Sequence, residues 1–119
     1  MSASVDVFGR RRTVSLKPTD TNEATLVTAG KAGMTVVWIC IANGENAANA
    51  ASVEWYDGTT DWPVYAAKSI AANDTHMADV CIEIPDGGSL KVTSGDADEI
   101  TFTVTIVESL GAVGGRQTG

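Results

Sequence analysis

The longest apolar run in this 119-residue chain, Met34–Ala42, constrains the fold more than any other stretch. It is rich in β-branched and aromatic residues and is bounded by Gly33 and by Asn43-Gly44, which predicts a strand. The run is too short for a membrane helix. A strand with one exposed face alternates apolar and polar residues, but this run is apolar on both faces. We therefore expect both faces to be covered.

Strict alternation divides the run into two sets of side chains on opposite faces. The sets are Met34, Val36, Trp38 and Cys40 on one face, and Val37, Ile39 and Ile41 on the other. We expect one face, containing either Trp38 and Cys40 or Ile39 and Ile41, to lie in the core. The other face would be covered by something that the monomer does not supply, such as another subunit.

Shorter segments elsewhere alternate as half-buried strands do, most clearly Ile100–Glu108. Asp57-Gly58 is a strong hairpin signal, and Pro85–Gly88 predicts a turn. Turn signals recur roughly every eight to twelve residues, and no convincing helical period is found. The pattern predicts an all-β fold, an antiparallel β-sandwich or jelly roll of about seven or eight short strands.

We expect three parts along the chain. Residues 1–22 form an extended N-terminal arm with one short strand at Thr13–Leu16, residues 23–109 form the β-sandwich domain, and residues 110–119 form a flexible Gly-rich tail. The arm carries the apolar residues Val7 and Phe8 and the basic run Arg10–Arg12. Those apolar residues suggest that the arm docks on something, since chain ends without a docking site are often disordered.

Composition argues against several classes of binding partner. The formal net charge of −7 argues against general nucleic-acid binding. We find no secretory leader and no segment long enough for a bilayer, so we expect synthesis in a cytoplasm and no membrane partner. Cys40 and Cys81 are too few for a disulfide scaffold. A bridge between neighbouring strands stays open, but we favour buried free thiols.

No residue pattern indicates catalysis. His76 is the single histidine, and no glycine-framed nucleophile elbow is found, so we expect a surface or strand-start histidine and no enzyme. Cysteine and histidine are too sparse for zinc. The acidic turns at Asp96–Glu99 and Asp57–Asp61 leave calcium open, without the calcium-loop pattern. We expect solvated turns, no cofactor and no small-molecule ligand.

Aromatic residues crowd the Asp57-Gly58 hairpin. Alternation places Trp55 in the core, whereas Tyr56, Trp62 and Tyr65 are candidates for a subunit interface or for stacking on sugar rings. The Arg10–Arg12 run is either a solvated basic arm or a contact for a protein partner with an acidic surface, since arginine forms bidentate pairs with carboxylates.

Four segments together carry a resemblance to small virion proteins of tailed bacteriophages. These segments are Ala24–Thr28, Gly33–Asn43, Ile84–Ser94 and Ile100–Glu108. In that group a strand ending in Ala-Asn is followed by a turn of the type Pro-x-Gly-x-Ser-Leu-Lys-Val and by a final alternating strand. The resemblance covers roughly residues 23–108 and consists of strand and turn patterns. The arm and the tail lie outside it.

The resemblance implies a compact sandwich or jelly roll, commonly trimeric, that serves as a capsid decoration (cement) protein. It implies a place on the capsid surface of the virion and the major capsid protein as partner. The candidate capsid contacts are Val7, Phe8, Arg10, Arg11 and Arg12. The alternative is a tail, fibre or head–tail component with a carbohydrate- or receptor-binding sandwich.

Overall fold

The structure is a computed structural model, and it describes residues 10–108 in eight strands. The strands are β1 (Arg10–Leu16), β2 (Ala24–Thr28), β3 (Met34–Asn43), β4 (Asn49–Tyr56), β5 (Asp61–Ile70), β6 (Thr75–Ile84), β7 (Ser89–Ser94) and β8 (Ile100–Glu108). Within the described range there is no helix of the length and apolarity needed to cross a membrane.

The eight strands form two four-stranded antiparallel sheets. Sheet 1 has the order β1-β8-β3-β6, and sheet 2 has the order β2-β7-β4-β5. Most connections carry the chain from one sheet to the other, so strands that are neighbours in sequence mostly face each other across the core. Two packed sheets of this kind make a jelly roll, and the sequence prediction of an all-β sandwich is confirmed.

The core lies between the two sheets and is built from the inward side chains of every second residue. Sheet 1 contributes its two central strands, β3 and β8, most heavily. The fully buried large side chains include Ile39, Ile41, Phe102, Val104 and Ile106 from sheet 1, with Leu90, Val92 and Val53 from sheet 2. Burial of each of these side chains stabilises the fold by roughly 1.5–3 kcal/mol relative to leaving it exposed.

A β-bulge at Val37 interrupts the alternation of β3. Val36 lies opposite Ile106 and Trp38 lies opposite Thr105, so Val37 is an extra residue relative to β8. The bulge reverses the facing of all later residues of the strand. Met34, Val36, Ile39 and Ile41 therefore point into the core, while Trp38 and Cys40 point outward.

The faces of β3 agree only in part with strict alternation. The expectation that one face with Ile39 and Ile41 lies in the core is confirmed. Strict alternation was wrong in placing Val36 on the same face as Trp38, because the extra residue at the bulge shifts the period by one. Trp38 and Cys40 are half-buried on the outer face of sheet 1 and are not among the residues packed against the core.

Asn43, the last residue of β3, anchors two connections. Its side-chain amide donates hydrogen bonds to the carbonyl oxygens of Ala47, Ile70 and Ala71, at 2.9, 3.1 and 3.2 Å. Its Oδ1 accepts from the backbone N–H of Glu45 at 3.0 Å. Because Asn43 is buried, these bonds replace the water that its amide would otherwise need.

β1 is an edge strand of sheet 1 and pairs with β8 along its whole length, from Arg10 opposite Glu108 to Leu16 opposite Phe102. It begins three residues before the short strand that the sequence predicted at Thr13. Val14 and Leu16 pack against the core, which ties the strand to the sheet. From residue 10 onward the predicted arm is therefore part of the sandwich. Val7, Phe8 and the predicted tail at 110–119 lie outside the described residues.

Truncating an inward residue of β3 should cost far more stability than truncating its outward neighbour. We expect Ile41→Ala to lower the free energy of unfolding by about 2–5 kcal/mol, because it leaves a cavity between the sheets. Cys40→Ala should change it by less than about 1 kcal/mol. Chemical denaturation of both variants measures the difference. Equal costs would contradict the assignment of faces after the bulge.

Candidate interaction surfaces

The turn between β4 and β5 is organised by the Asp57 carboxylate. Oδ1 accepts hydrogen bonds from the backbone N–H groups of Thr59 and Thr60, both at 2.8 Å. Oδ2 accepts from the indole Nε1 of Trp62 at 2.9 Å. These bonds, that from Trp62 foremost, hold the pKa of Asp57 well below its ordinary value. The turn is therefore held by its own side chains.

Trp62 is the second residue of β5 and lies opposite Trp55 of β4. The two indole rings stack with their centroids 6.3 Å apart and their planes 28° from parallel. Trp62 nevertheless remains 47% exposed, one of the two exposed large apolar side chains among the described residues. It is a hydrophobic contact point at the rim of the hairpin.

Tyr65 bridges the two sheets rather than facing solvent. Its hydroxyl lies 2.9 Å from Nε2 of His76 on β6, and the two rings meet edge to face with centroids 5.0 Å apart. β5 and β6 are edge strands of different sheets, so this pair closes one side of the sandwich. His76 was expected at the surface or at a strand start. It stands second in β6, half-buried, with a hydrogen-bond partner.

Tyr56 points to the other face of sheet 2, away from the core. The Nζ atom of Lys91 lies 4.6 Å from its ring centroid, and its hydroxyl donates to the carbonyl oxygen of Gly58 at 2.8 Å. Tyr56, Trp62 and Tyr65 therefore do not form one aromatic platform, although they belong to one hairpin. Their role in a subunit interface stays a prediction.

Acidic side chains surround Lys91 on this face of sheet 2. Its Nζ lies 3.0 Å from Asp61 Oδ1 and 3.8 Å from Glu23 Oε1. A hydrogen bond with Glu23, burial and the nearby negative charges raise the pKa of Glu54 to about 7. Glu54 thus binds a proton at mildly acidic pH, which relieves its repulsion with the neighbouring carboxylates.

The outer face of sheet 1 carries a half-covered apolar patch, formed by Trp38, Cys40 and Met77. Met77 lies opposite Cys40 in the sheet and is 61% exposed. Cys81 is on the same face, further along β6. Both cysteines are free thiols, as favoured from the sequence, but Cys81 is exposed and the expectation of burial is wrong for it. β6 is an edge strand, so its outward side chains have a neighbouring strand on one side only.

The three arginines lie exposed at the start of β1. Arg12 Nε donates to Glu108 Oε1 at 2.8 Å, which lowers the pKa of that carboxyl. Because Arg11 alternates with its neighbours and lies opposite Val107, it belongs to the outer face of sheet 1. The basic run is thus fixed to a sheet edge rather than carried on a free arm.

The acidic turns hold no arrangement suited to a metal ion in the described residues. Across residues 10–108, no three His, Cys, Asp or Glu side chains converge on a common position. Glu45 instead forms a hydrogen bond with Asp96, which raises the pKa of Glu45.

No protein-family model and no curated protein matches the sequence. Solved structures do resemble the fold. A chain from the capsid asymmetric unit of cyanophage Pam1 has a TM-score of 0.54 and 11% identity, over 85% of this chain and 86% of its own. A pentameric capsid protein from metagenomic phage sequences has a TM-score of 0.51 and 13% identity, over 82% of this chain and 61% of its own.

Similar folds also occur outside phages. The nucleoplasmin-like N-terminal domain of Drosophila FKBP39 has a TM-score of 0.53 and 9% identity, over 87% of this chain and 92% of its own. A chain in the structure of infectious bursal disease virus Gx strain has a TM-score of 0.51 and 13% identity over 87% of this chain. The match spans only about a third (34%) of that viral chain. Sequence identities this low show a shared fold only, and one fold serves many unrelated functions.

Removing the Glu54 carboxyl should change how stability depends on pH. The pKa of Glu54 rises from 4.5 to about 7 on folding, so the folded chain binds the extra proton between these values. Its stabilising contribution is complete below pH 4.5 and is lost as pH rises through about 7. Glu54→Gln should therefore gain stability relative to the original chain over that window. Denaturation at a series of pH values, with Asp86→Asn as control, tests this. A difference independent of pH would contradict the raised pKa of Glu54.

Proposed function

We propose that this chain is a non-enzymatic structural protein of a bacteriophage virion that decorates the assembled capsid and stabilises it. The observation that carries the proposal is the match to a chain in the cyanophage capsid unit, which covers 85% of this chain and 86% of that one. A single jelly roll of nearly this length is thus part of a phage capsid. The resemblance of residues 23–108 to small phage virion proteins points the same way.

Contact with the capsid would come from the N-terminal residues. They join the sandwich at Arg10, on the exposed edge strand β1. Val7 and Phe8 would supply apolar anchors in a groove of the major capsid protein, with Arg10 at their base facing capsid carboxylates. Arg12 already has Glu108 as partner in its own chain, which makes it the weaker candidate.

Stabilisation follows from binding the assembled shell in preference to its free subunits. A ligand that binds one state stabilises it by about 2.7 kcal/mol when present at a hundred times its dissociation constant. Many such contacts, each spanning neighbouring subunits, would raise the temperature at which the shell opens. Decoration proteins that form closed rings bind with several contacts at once. The sequence resemblance implies a trimer, and the similar pentameric capsid protein makes the number of subunits a quantity to measure.

Capsids should lose this protection when the N-terminal residues are removed. We expect the full chain, added back to undecorated capsids of its phage, to raise their melting temperature. A variant lacking residues 1–9 should fold, because β1 begins at Arg10, yet should fail to bind. Cosedimentation with capsids measures binding, and circular dichroism of the free variant checks its fold. Unchanged occupancy by the shortened chain would remove these residues from the proposed contact.

A receptor-binding role in a tail or fibre is the alternative, and the exposed Trp62 indole is the observation that favours it. Solvent-exposed indole rings stack on the sugar rings of bound glycans. Binding of the free protein to host-cell glycans, abolished by Trp62→Ala and unaffected by deletion of residues 1–9, would replace the decoration proposal.

A further inference from the structure

The two edges of sheet 1 carry opposite charges on the same face. Arg11 on β1 lies opposite Val107, which is on the outer face together with Thr35. Glu83 on β6 also lies opposite Thr35, and Asp79 lies opposite Trp38. All three charged side chains are exposed. We call β1 with Arg11 the basic edge, and β6 with Asp79 and Glu83 the acidic edge.

Both edges have room for another strand. In the part of the chain that the structure describes, β1 pairs with β8 alone and β6 pairs with β3 alone. Three antiparallel pairings separate β1 from β6, so the two strands run in opposite directions. An unpaired strand edge is a ready template for a strand of another chain. The β1 of a second copy would therefore meet β6 in the antiparallel sense.

We propose that the basic edge of one copy docks beside the acidic edge of the next, and that repetition of this contact closes a homo-oligomeric ring. The proposal deepens the proposed function, since it identifies the surface through which the copies of a capsid-binding ring would associate. Rotation about an axis roughly along the strands keeps the outer face of sheet 1 continuous from copy to copy. Arg11 then lies on the same face as Asp79 and Glu83 of its neighbour.

Charge makes a second copy the occupant that fits best. A chain with a net charge of −7 repels its own copies over most orientations. The orientation that brings Arg11 of β1 to the carboxylates of β6 is attractive, and it uses surfaces that every copy possesses. A contact between two different surfaces of identical chains propagates head to tail and closes into a ring when the rotation permits.

The same contact covers apolar surface left open in the isolated chain. Met77 projects from β6 between Thr75 and Asp79, beside Trp38 and Cys40 of β3. A strand added at β6 would cover part of Met77, which is 61% exposed. By contrast, Tyr56 and Tyr65 of the hairpin already have polar partners within their own chain.

Charge reversal tests the contact in the purified full chain without capsids. Size-exclusion chromatography with light scattering should give, for the original chain, the molar mass of a closed oligomer. Arg11→Glu alone and Asp79→Lys/Glu83→Lys should each raise the dissociation constant of the ring at least about tenfold, because like charges then face each other. The combined variant should restore the ring. Asp86→Lys, which reverses one charge in the turn after β6, should leave the ring intact, and circular dichroism should show every variant folded.

Several outcomes would overturn the proposal. These are a monomeric original chain, a ring that survives both reversals, or a combined variant that stays dissociated. Dissociation by Trp62→Ala with no effect of the reversals would move the interface to the hairpin. Deletion of residues 1–9 leaves both edges in place, so loss of capsid binding and loss of the ring are separate results. A monomer that binds capsids would end the ring proposal and leave the decoration proposal standing.

Discussion

The packing of β3 and β8 against sheet 2 is the interaction on which the rest of the molecule depends. These two central strands of sheet 1 supply Ile39, Ile41, Phe102 and Val104, all essentially inaccessible to solvent. The edge strands β1 and β6 are held mainly through them. Because each buried side chain contributes about 1.5–3 kcal/mol, a few residues at the centre fix the position of both edges.

The bulge at Val37 determines which residues this central strand shows to the outside. Without it, Trp38 and Cys40 would follow Val36 into the core. With it, the inner face is filled by two isoleucines, and an indole and a thiol face outward beside Met77. The sheet thus has an outer face with apolar surface of its own, bordered by charged edges. That combination is typical of a surface that meets another protein.

The fold and the surface provide different kinds of evidence about function. A jelly roll similar to a cyanophage capsid chain is also similar to a Drosophila nucleoplasmin-like domain, so architecture alone leaves the function open. The surface is more specific to this chain. A basic edge, an acidic edge and an exposed methionine lie on one sheet, and a contact between copies would use all three. Ring formation would also bring several N-terminal segments to one side of an assembly, where weak contacts add to a stable attachment.

The sequence by itself determined the strands, the turns and the fold class, because alternation and turn chemistry are local properties. Ile100–Glu108 was predicted correctly as an alternating strand, and Asp57-Gly58 marked its hairpin. Tertiary structure decided what depends on pairing across long separations. The register of β3 against β8 includes the bulge, so the strict alternation that placed Val36 on the same face as Trp38 fails at Val37. Likewise, Arg10–Arg12 were predicted as part of an extended arm, because the pairing that ties them to a sheet edge joins Arg12 to Glu108, 96 residues away in the chain. The partnership of Tyr65 with His76 joins two sheets, and only the packed sandwich brings those edges together.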